Sequence, residues 1–196
     1  MTNSVGSLYA NVTRIDVHLA NAYYPILIDL ARNNQLITYG DLVDRAKMIY
    51  PENAFVQNAI PVSTGRRLDI VRSFTSSRGL PDITCLVVNE SKRKPGDRYP
   101  GDPVKAREEV SEYDWSNVTF EFDSFVKVAE SDIEKLKLKK ITMPKALELM
   151  SDYYYKNKSN LPAKDLVIQQ RDLILEIIVE GYSPEQAFEQ ALRNNI

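Results

Sequence analysis

The order of secondary-structure patterns along the chain is the feature that most restricts its fold. Three segments carry apolar residues at helical spacing, over residues 23–34, 39–49 and 65–78, and Ser63 or Thr64 can cap the third. Gly79 is placed to end the third helix, because the left-handed conformation that closes many helices favours glycine. The short β-branched segment 82–89 follows a Gly-Leu-Pro break and is predicted to form a buried strand.

A basic segment rich in turn residues follows this strand pattern. The sequence "ESKRKPGDRYPGDP", residues 90–103, leads towards "VTFEF", residues 118–122, where alternating apolar and polar residues predict a second strand. Three helices, a strand, a basic loop and a further strand are the elements of a winged helix-turn-helix domain. We therefore predict an α+β fold with a winged-helix domain over residues 1–125.

The remainder of the chain predicts a charged linker over residues 126–141 and a small helical module over residues 142–196. Apolar periodicity marks three helices in this module, at residues 143–157, 163–180 and 183–195. The last of them begins with "SPEQ", in which Ser183 and Gln186 have the spacing of a capping box.

Composition narrows the class of protein. The chain has 196 residues, of which 43% are hydrophobic and 27% are charged, as in ordinary globular domains. No apolar run approaches the roughly 18 to 20 residues of a membrane helix, so we predict a cytoplasmic protein without a membrane partner. One cysteine and one histidine cannot form a disulfide or a zinc site of soft ligands, and no cofactor is expected.

Charge is distributed unevenly over a chain whose net charge is −2. Residues 63–98 carry 8 basic and 4 acidic side chains, whereas residues 106–196 carry 12 basic and 17 acidic ones. The middle of the chain can therefore attract phosphate locally, although the remainder repels it.

A nuclease-like string lies within the predicted strand. Asp82 follows a proline, and Glu90 is separated by one residue from Lys92, which spells the "PD…(D/E)xK" pattern of metal-dependent nucleases. Such enzymes need both carboxylates at one Mg²⁺ ion. If residues 82–90 form one strand, eight steps of about 3.3 Å separate the two carboxylates by roughly 26 Å. This spacing argues against a shared metal ion.

The stretches "ITYGDLVDRA", "GRRLDIV", "LPDITCLVV" and "KPGDRYPG" occur in this order within residues 22–102. Together they resemble the DNA-binding domain of the O6-alkylguanine-DNA alkyltransferases and alkyltransferase-like proteins, and the layout is also similar to that of uncharacterised phage and bacterial proteins. The resemblance implies a winged-helix fold in which Tyr39 and either Arg66 or Arg67 help to extrude a base. It also places Cys85 near the position of the family's acceptor thiol.

The surroundings of Cys85 differ from those of the family's acceptor thiol. In the family a proline precedes the cysteine and His-Arg follows it, whereas here Thr84 precedes Cys85 and Leu86 follows it. Without an activating base, a cysteine within a buried strand behaves as a small hydrophobic residue. We therefore expect no alkyl transfer and no other catalysis.

The DNA-binding interpretation uses cations on two neighbouring elements. Arg66, Arg67 and Arg72 are predicted on the outer face of the third helix, which such domains insert into the major groove. The cations of the basic loop are expected to follow the phosphate backbone and are Lys92, Arg93, Lys94 and Arg98. With Tyr39, these residues predict a non-catalytic protein of phage or prophage type that binds double-stranded DNA.

The alternative prediction is a protein-interaction factor. A phage protein of this kind would bind and inhibit a host enzyme through its acidic helical module, and deletion of residues 142–196 would abolish capture of the host partner. The sequence leaves the oligomeric state open, a homodimer included.

Overall fold

The computed structural model describes residues 12–97, 99–116, 118–136 and 138–192. Most of these residues are helical. The α-helices and strands are α1 (Arg14–Arg32), β1 (Ile37–Thr38), α2 (Tyr39–Ile49), α3 (Ala54–Gln57), α4 (Thr64–Ser77), β2 (Val87–Val88), α5 (Pro103–Glu112), α6 (Thr119–Lys135), α7 (Met143–Asn157), α8 (Lys164–Gln169), α9 (Arg171–Val179) and α10 (Pro184–Leu192). Two short 3₁₀ helices, Pro61–Ser63 and Ile83–Leu86, precede α4 and β2.

The chain divides into two compact units. The first unit is Arg14–Glu130, and the second combines Met1–Thr13 with Ser131–Ile196. The boundary between them falls inside α6, after Glu130.

Helix α1 is the centre of the first unit, and α2, α3, α4 and α5 all pack against it. The helix begins nine residues before the predicted segment 23–34 and continues through Pro25, whose side chain is exposed. Tyr24 of α1 stacks on Phe122 of α6 with ring centroids 4.0 Å apart, and Phe74 of α4 meets both rings edge-on. These aromatic contacts join α1, α4 and α6 in one apolar core.

A buried ion pair also joins α1 to α4. Asp16 is completely buried, and Arg67 is only 1% exposed. The Arg67 Nε atom lies 3.1 Å from Asp16 Oδ1, and Arg66 Nε lies 2.7 Å from Asp16 Oδ2. Arg67 Nη1 donates a 2.8 Å hydrogen bond to the carbonyl oxygen of Ser63. The carboxylate and both guanidinium groups are therefore paired where water cannot solvate Asp16.

The sheet consists of β1 and β2 alone in the described part of the chain. The two strands are parallel, and Ile37 pairs with Val87 while Thr38 pairs with Val88. Strand β1 is short because Thr38 also caps α2, with its Oγ1 atom accepting a 3.1 Å hydrogen bond from the amide of Asp41.

The predicted α+β winged-helix fold is wrong, because the structure is mostly helical and its sheet has only two short strands. In the segment 82–89, Asp82 caps a 3₁₀ turn by accepting a 3.0 Å hydrogen bond from the amide of Thr84. Only Val87–Val88 remain extended there. The basic segment leads into helix α5 and so forms no wing between two strands.

The second predicted strand, residues 118–122, is also wrong, since α6 begins at Thr119. Val118, Phe122 and Val126 are all buried, and they lie four residues apart. The apolar residues of 118–122 that appear to alternate as in a strand therefore also fit the four-residue spacing of a helix. Residues 126–135, predicted to belong to a charged linker, are the second half of this helix.

The second unit contains α7, α8, α9 and α10, with α9 packed against each of the other three. The single helix predicted over residues 163–180 is divided at Gln170 into α8 and α9. The capping box is confirmed, because Ser183 N donates to Gln186 Oε1 at 3.0 Å and Gln186 N donates to Ser183 Oγ at 3.2 Å. Gly181, with φ of 102°, allows a close approach that a Cβ atom would prevent, since it would lie 2.5 Å from the carbonyl oxygen of Lys139.

Within the described residues, no helix combines the length and the apolar character needed to cross a bilayer.

The buried ion pair gives a prediction about stability. Asp16→Asn should lower the free energy of unfolding by about 3–5 kcal/mol, because it leaves the buried Arg67 guanidinium without its counter-charge. The matched control is Asp29→Asn, which removes the partner of Arg45 in a pair that is exposed by a third to a half and should cost about 1 kcal/mol or less. Urea unfolding followed by circular dichroism measures both. Equal losses in the two variants would contradict this assignment.

Candidate nucleic-acid interface

A run of exposed cations in the first unit lies within residues 89–97, which we call the cationic loop. Lys92, Arg93 and Lys94 occupy three consecutive positions, and all three are exposed. Lys92 Nζ lies 3.3 Å from Asp97 Oδ1, in a pair that is largely open to solvent. Neither Arg93 nor Lys94 forms an ion pair with any acidic residue of the described chain. Their charges are therefore available to an external anion.

Two backbone hydrogen bonds close the cationic loop into a turn. The amide of Asn89 donates to the carbonyl oxygen of Lys94 at 2.8 Å, and the amide of Arg93 donates back to the carbonyl oxygen of Asn89 at 2.9 Å. Arg93 adopts a left-handed conformation with φ of 51°, which a non-glycine residue adopts at some cost. Pro95 is buried at the end of the turn.

Two residues from neighbouring helices anchor this loop. The hydroxyl oxygen of Tyr39, at the start of α2, accepts a 3.1 Å hydrogen bond from the amide of Gly96. Arg107 of α5 donates from Nε to the carbonyl oxygen of Cys85 at 3.3 Å and from Nη2 to that of Arg93 at 3.5 Å. The loop is thus tied to α2 at Gly96 and to α5 at Arg93, which reduces the conformational entropy lost when its cations bind a ligand.

The arginines predicted to read DNA from α4 have other partners. Arg67 is buried against Asp16, so its guanidinium lies beneath the surface that a DNA molecule could reach. Arg66 shares the same carboxylate, and only 17% of its side chain is exposed. These two arginines therefore connect α4 to α1.

Arg72 connects α4 to the 3₁₀ turn that precedes β2. Its Nε atom lies 2.9 Å from Asp82 Oδ2, and its Nη2 atom donates to Thr84 Oγ1 at 3.0 Å. Its Nη1 atom donates to Asp69 at 2.8 Å, and its guanidinium carbon lies 5.1 Å from the centroid of the Tyr99 ring. All three groups of donors are engaged within the protein. Arg98, also predicted to contact DNA, lies outside the described residues.

Tyr39 has a position that the family resemblance did not imply. The resemblance gave this residue a part in base extrusion, whereas in the structure its hydroxyl group holds the Gly96 amide. A Cβ atom at Gly96 would lie 3.3 Å from that hydroxyl oxygen, so the glycine permits the close approach. Tyr39 therefore supports the backbone of the cationic loop.

Cys85 is fully buried, as expected for a small hydrophobic residue. Burial raises the pKa of its thiol to about 12, and the negative charge of Asp82 adds to the shift while Arg107 opposes it. Burial also raises the pKa of the nearby Tyr99 hydroxyl, and Asp82 raises it further. The thiol is consequently protonated at neutral pH, which is the unreactive form.

Asp82 does not lie in one extended strand with Glu90, as was assumed for the distance between their carboxylates. A 3₁₀ turn follows this residue, so the 26 Å estimate for an extended segment does not describe the path to Glu90. The oxygens of Asp82 are instead engaged by Arg72 and by Thr84. Among the described residues, no three histidine, cysteine, aspartate or glutamate side chains lie close enough to hold a metal ion.

Two residues that shape this interface were missed in the sequence. Asp16 could have been found, because it lies four and seven residues before Ala20 and Tyr23 and so shares their face of a helix, where a carboxylate needs a counter-charge. Arg107 carried no comparable signal, since its role is to contact backbone carbonyl groups on distant residues.

Comparison with known proteins does not assign this interface. No family model, no curated protein and no solved structure matches the chain.

The raised pKa of Cys85 gives a pH-dependent prediction. The thiol ionises near pH 9 in the unfolded chain but keeps its proton to about pH 12 in the folded one, so rising pH favours unfolding. From pH 8 to pH 10, wild-type protein should lose about 1.4 kcal/mol more free energy of unfolding than Cys85→Ala, which has no thiol to ionise. Urea titrations of both proteins across this range provide the measurement. Parallel curves would show that the thiol ionises normally in the folded state.

Proposed function

We propose that the protein binds nucleic acid without catalysing a reaction, and that its cationic loop contacts the phosphate backbone. The observation that carries this proposal is the set of three consecutive exposed cations on a hydrogen-bonded loop, two of which have no described acidic partner. Phosphate contacts of this kind are made by lysine and arginine and carry no sequence information directly. Double-stranded DNA is the ligand proposed.

The pairing of the other cations limits the size of the contact. Of the eight basic residues in segment 63–98, Arg66, Arg67, Arg72 and Arg78 are engaged with Asp16, Asp82 or Glu121. The cationic loop itself contributes three charges. A contact with two or three phosphates gives a slope of log affinity against log salt of about −2 to −3, since each phosphate contributes about −0.9.

The pairing of the α4 arginines within the protein also leaves them unable to contact the bases of a nucleic acid. Reading base edges requires outward donors on an element that enters a groove, and the donors of α4 are engaged within the protein. The proposed mode is therefore binding by the loop along the outside of the duplex. We expect little preference among DNA sequences of equal length.

The charges of the loop can be tested against a matched pair elsewhere. Arg93→Gln combined with Lys94→Gln should weaken binding to a duplex of about 20 base pairs by at least about tenfold at low salt and make the salt slope shallower by about two. Lys156→Gln combined with Lys158→Gln removes the same charge from exposed positions in the second unit and should leave binding unchanged. Fluorescence anisotropy over a range of salt concentrations gives both quantities.

Two results would overturn the proposal. Wild-type protein that does not bind duplex DNA at low salt has no such function. Equal weakening in the two double variants would mean that net charge matters and the loop does not.

The anchoring of the loop can be tested without changing any charge. Tyr39→Phe removes the acceptor of the Gly96 amide and should lower the free energy of unfolding by about 0.5–1.5 kcal/mol. Binding to DNA should weaken while the salt slope stays at its wild-type value, because the number of cations is unchanged. The same anisotropy titrations measure this variant, and a changed slope with unchanged stability would contradict the role given to Tyr39.

A further inference from the structure

The second unit contains an open groove between α7 and α8 that none of the preceding interactions explains. Its volume is ≈ 150 Å³, and its walls are predominantly apolar. Met150 and Tyr154 from α7 face Val167 and Ile168 from α8 across it. The α7 pair lies four residues apart and so belongs to one face of that helix.

Two large side chains at this groove are turned towards solvent. Tyr155 is 71% exposed and Ile168 is 56% exposed, although both belong to helices that pack on the core of the unit. A groove of this volume that is open on one side is smaller than the pockets of about 300–1,000 Å³ that enclose drug-sized ligands. It can accept one large apolar side chain from another protein, in the manner of an interface anchor.

The charges at the groove indicate the chemistry of that protein. Lys164 and Arg171 both line the groove, and no acidic residue does. Arg171 Nη1 lies 3.2 Å from Asp172 Oδ1, but this pair is half exposed or more and holds the guanidinium weakly. Residues 131–196 carry 10 basic and 10 acidic side chains, so the cationic lining is a local feature and does not reflect the composition of the unit.

We propose that this groove binds an amphipathic helix of a partner protein, with one large apolar side chain in the groove and carboxylates placed against Lys164 and Arg171. A groove between two helices suits a third helix, whose apolar face supplies anchors at helical spacing. The carboxylates fix the orientation and select against basic partners. This site is separate from the cationic loop in sequence and chemistry, and it does not depend on nucleic-acid binding.

The test uses the full chain and two synthetic peptides as probes. Both are about 16 residues long, both carry the same face of leucine and tryptophan at helical spacing, and they differ only in having glutamate or lysine beside that face. The glutamate peptide should bind at least about tenfold more tightly than the lysine peptide at moderate salt. Amide shifts in an NMR titration should be confined to α7, α8 and the start of α9.

Charge reversal provides the decisive comparison. Lys164→Glu combined with Arg171→Glu should reverse the preference between the two peptides, whereas Lys156→Glu combined with Lys158→Glu, outside the groove lining, should preserve it. Ile168→Ala should weaken both peptides, because it removes part of the apolar wall. Circular dichroism confirms that each variant is folded, which is expected since the substituted side chains are exposed.

Three outcomes would overturn the proposal. Absence of binding by both peptides shows that the groove is not a helix-docking site. An unchanged preference in the Lys164→Glu, Arg171→Glu variant shows that these cations do not select the partner. Self-association of the wild-type chain that this variant abolishes, seen by sedimentation, identifies a second copy as the occupant in place of a foreign helix.

Discussion

The pairing of Asp16 with Arg67 is the interaction on which the arrangement of the first unit depends. A carboxylate with no exposed surface costs several kcal/mol unless its partner is present, so helix α4 is stable on α1 only where Arg67 reaches Asp16. The pair therefore fixes how α4, which also carries Arg72, is placed on α1. Arg72 then holds Asp82 and the 3₁₀ turn, from which β2 and the cationic loop continue. The buried pair thus supports, through α4 and Arg72, the turn from which the cationic loop continues.

Two helices of the first unit, α2 and α4, could be predicted from the sequence because their signals are local. The predicted segments 39–49 and 65–78 agree with α2 and α4 within a residue at each end, and Gly79 has the positive φ expected at a helix end. The strand predictions failed because five to eight residues do not separate a two-residue period from a helical one. For "VTFEF", the residue that distinguishes a helix from a strand is Val126, which lies four positions beyond the end of the segment.

The candidate interface could be predicted only in part, because the exposure of an arginine depends on whether a carboxylate elsewhere in the chain pairs with it. The exposure of the cationic loop follows from its turn residues and its run of charges, which are properties of a short segment. Whether an arginine on α4 faces solvent depends on a carboxylate 50 residues earlier, and the sequence of the helix contains no trace of it. Arginine suits DNA contact and buried pairing equally well, because its planar donors fit phosphate and carboxylate alike.

The burial of the chain's only cysteine has a practical consequence. A thiol reagent can react with Cys85 only after the segment around the 3₁₀ turn and β2 has opened, so the rate of labelling in native conditions measures the free energy of that local opening. Arg107 joins the Cys85 carbonyl group to that of Arg93, and any ligand that steadies the cationic loop should therefore slow the labelling. The labelling rate of Cys85 therefore reports on the rigidity of the cationic loop.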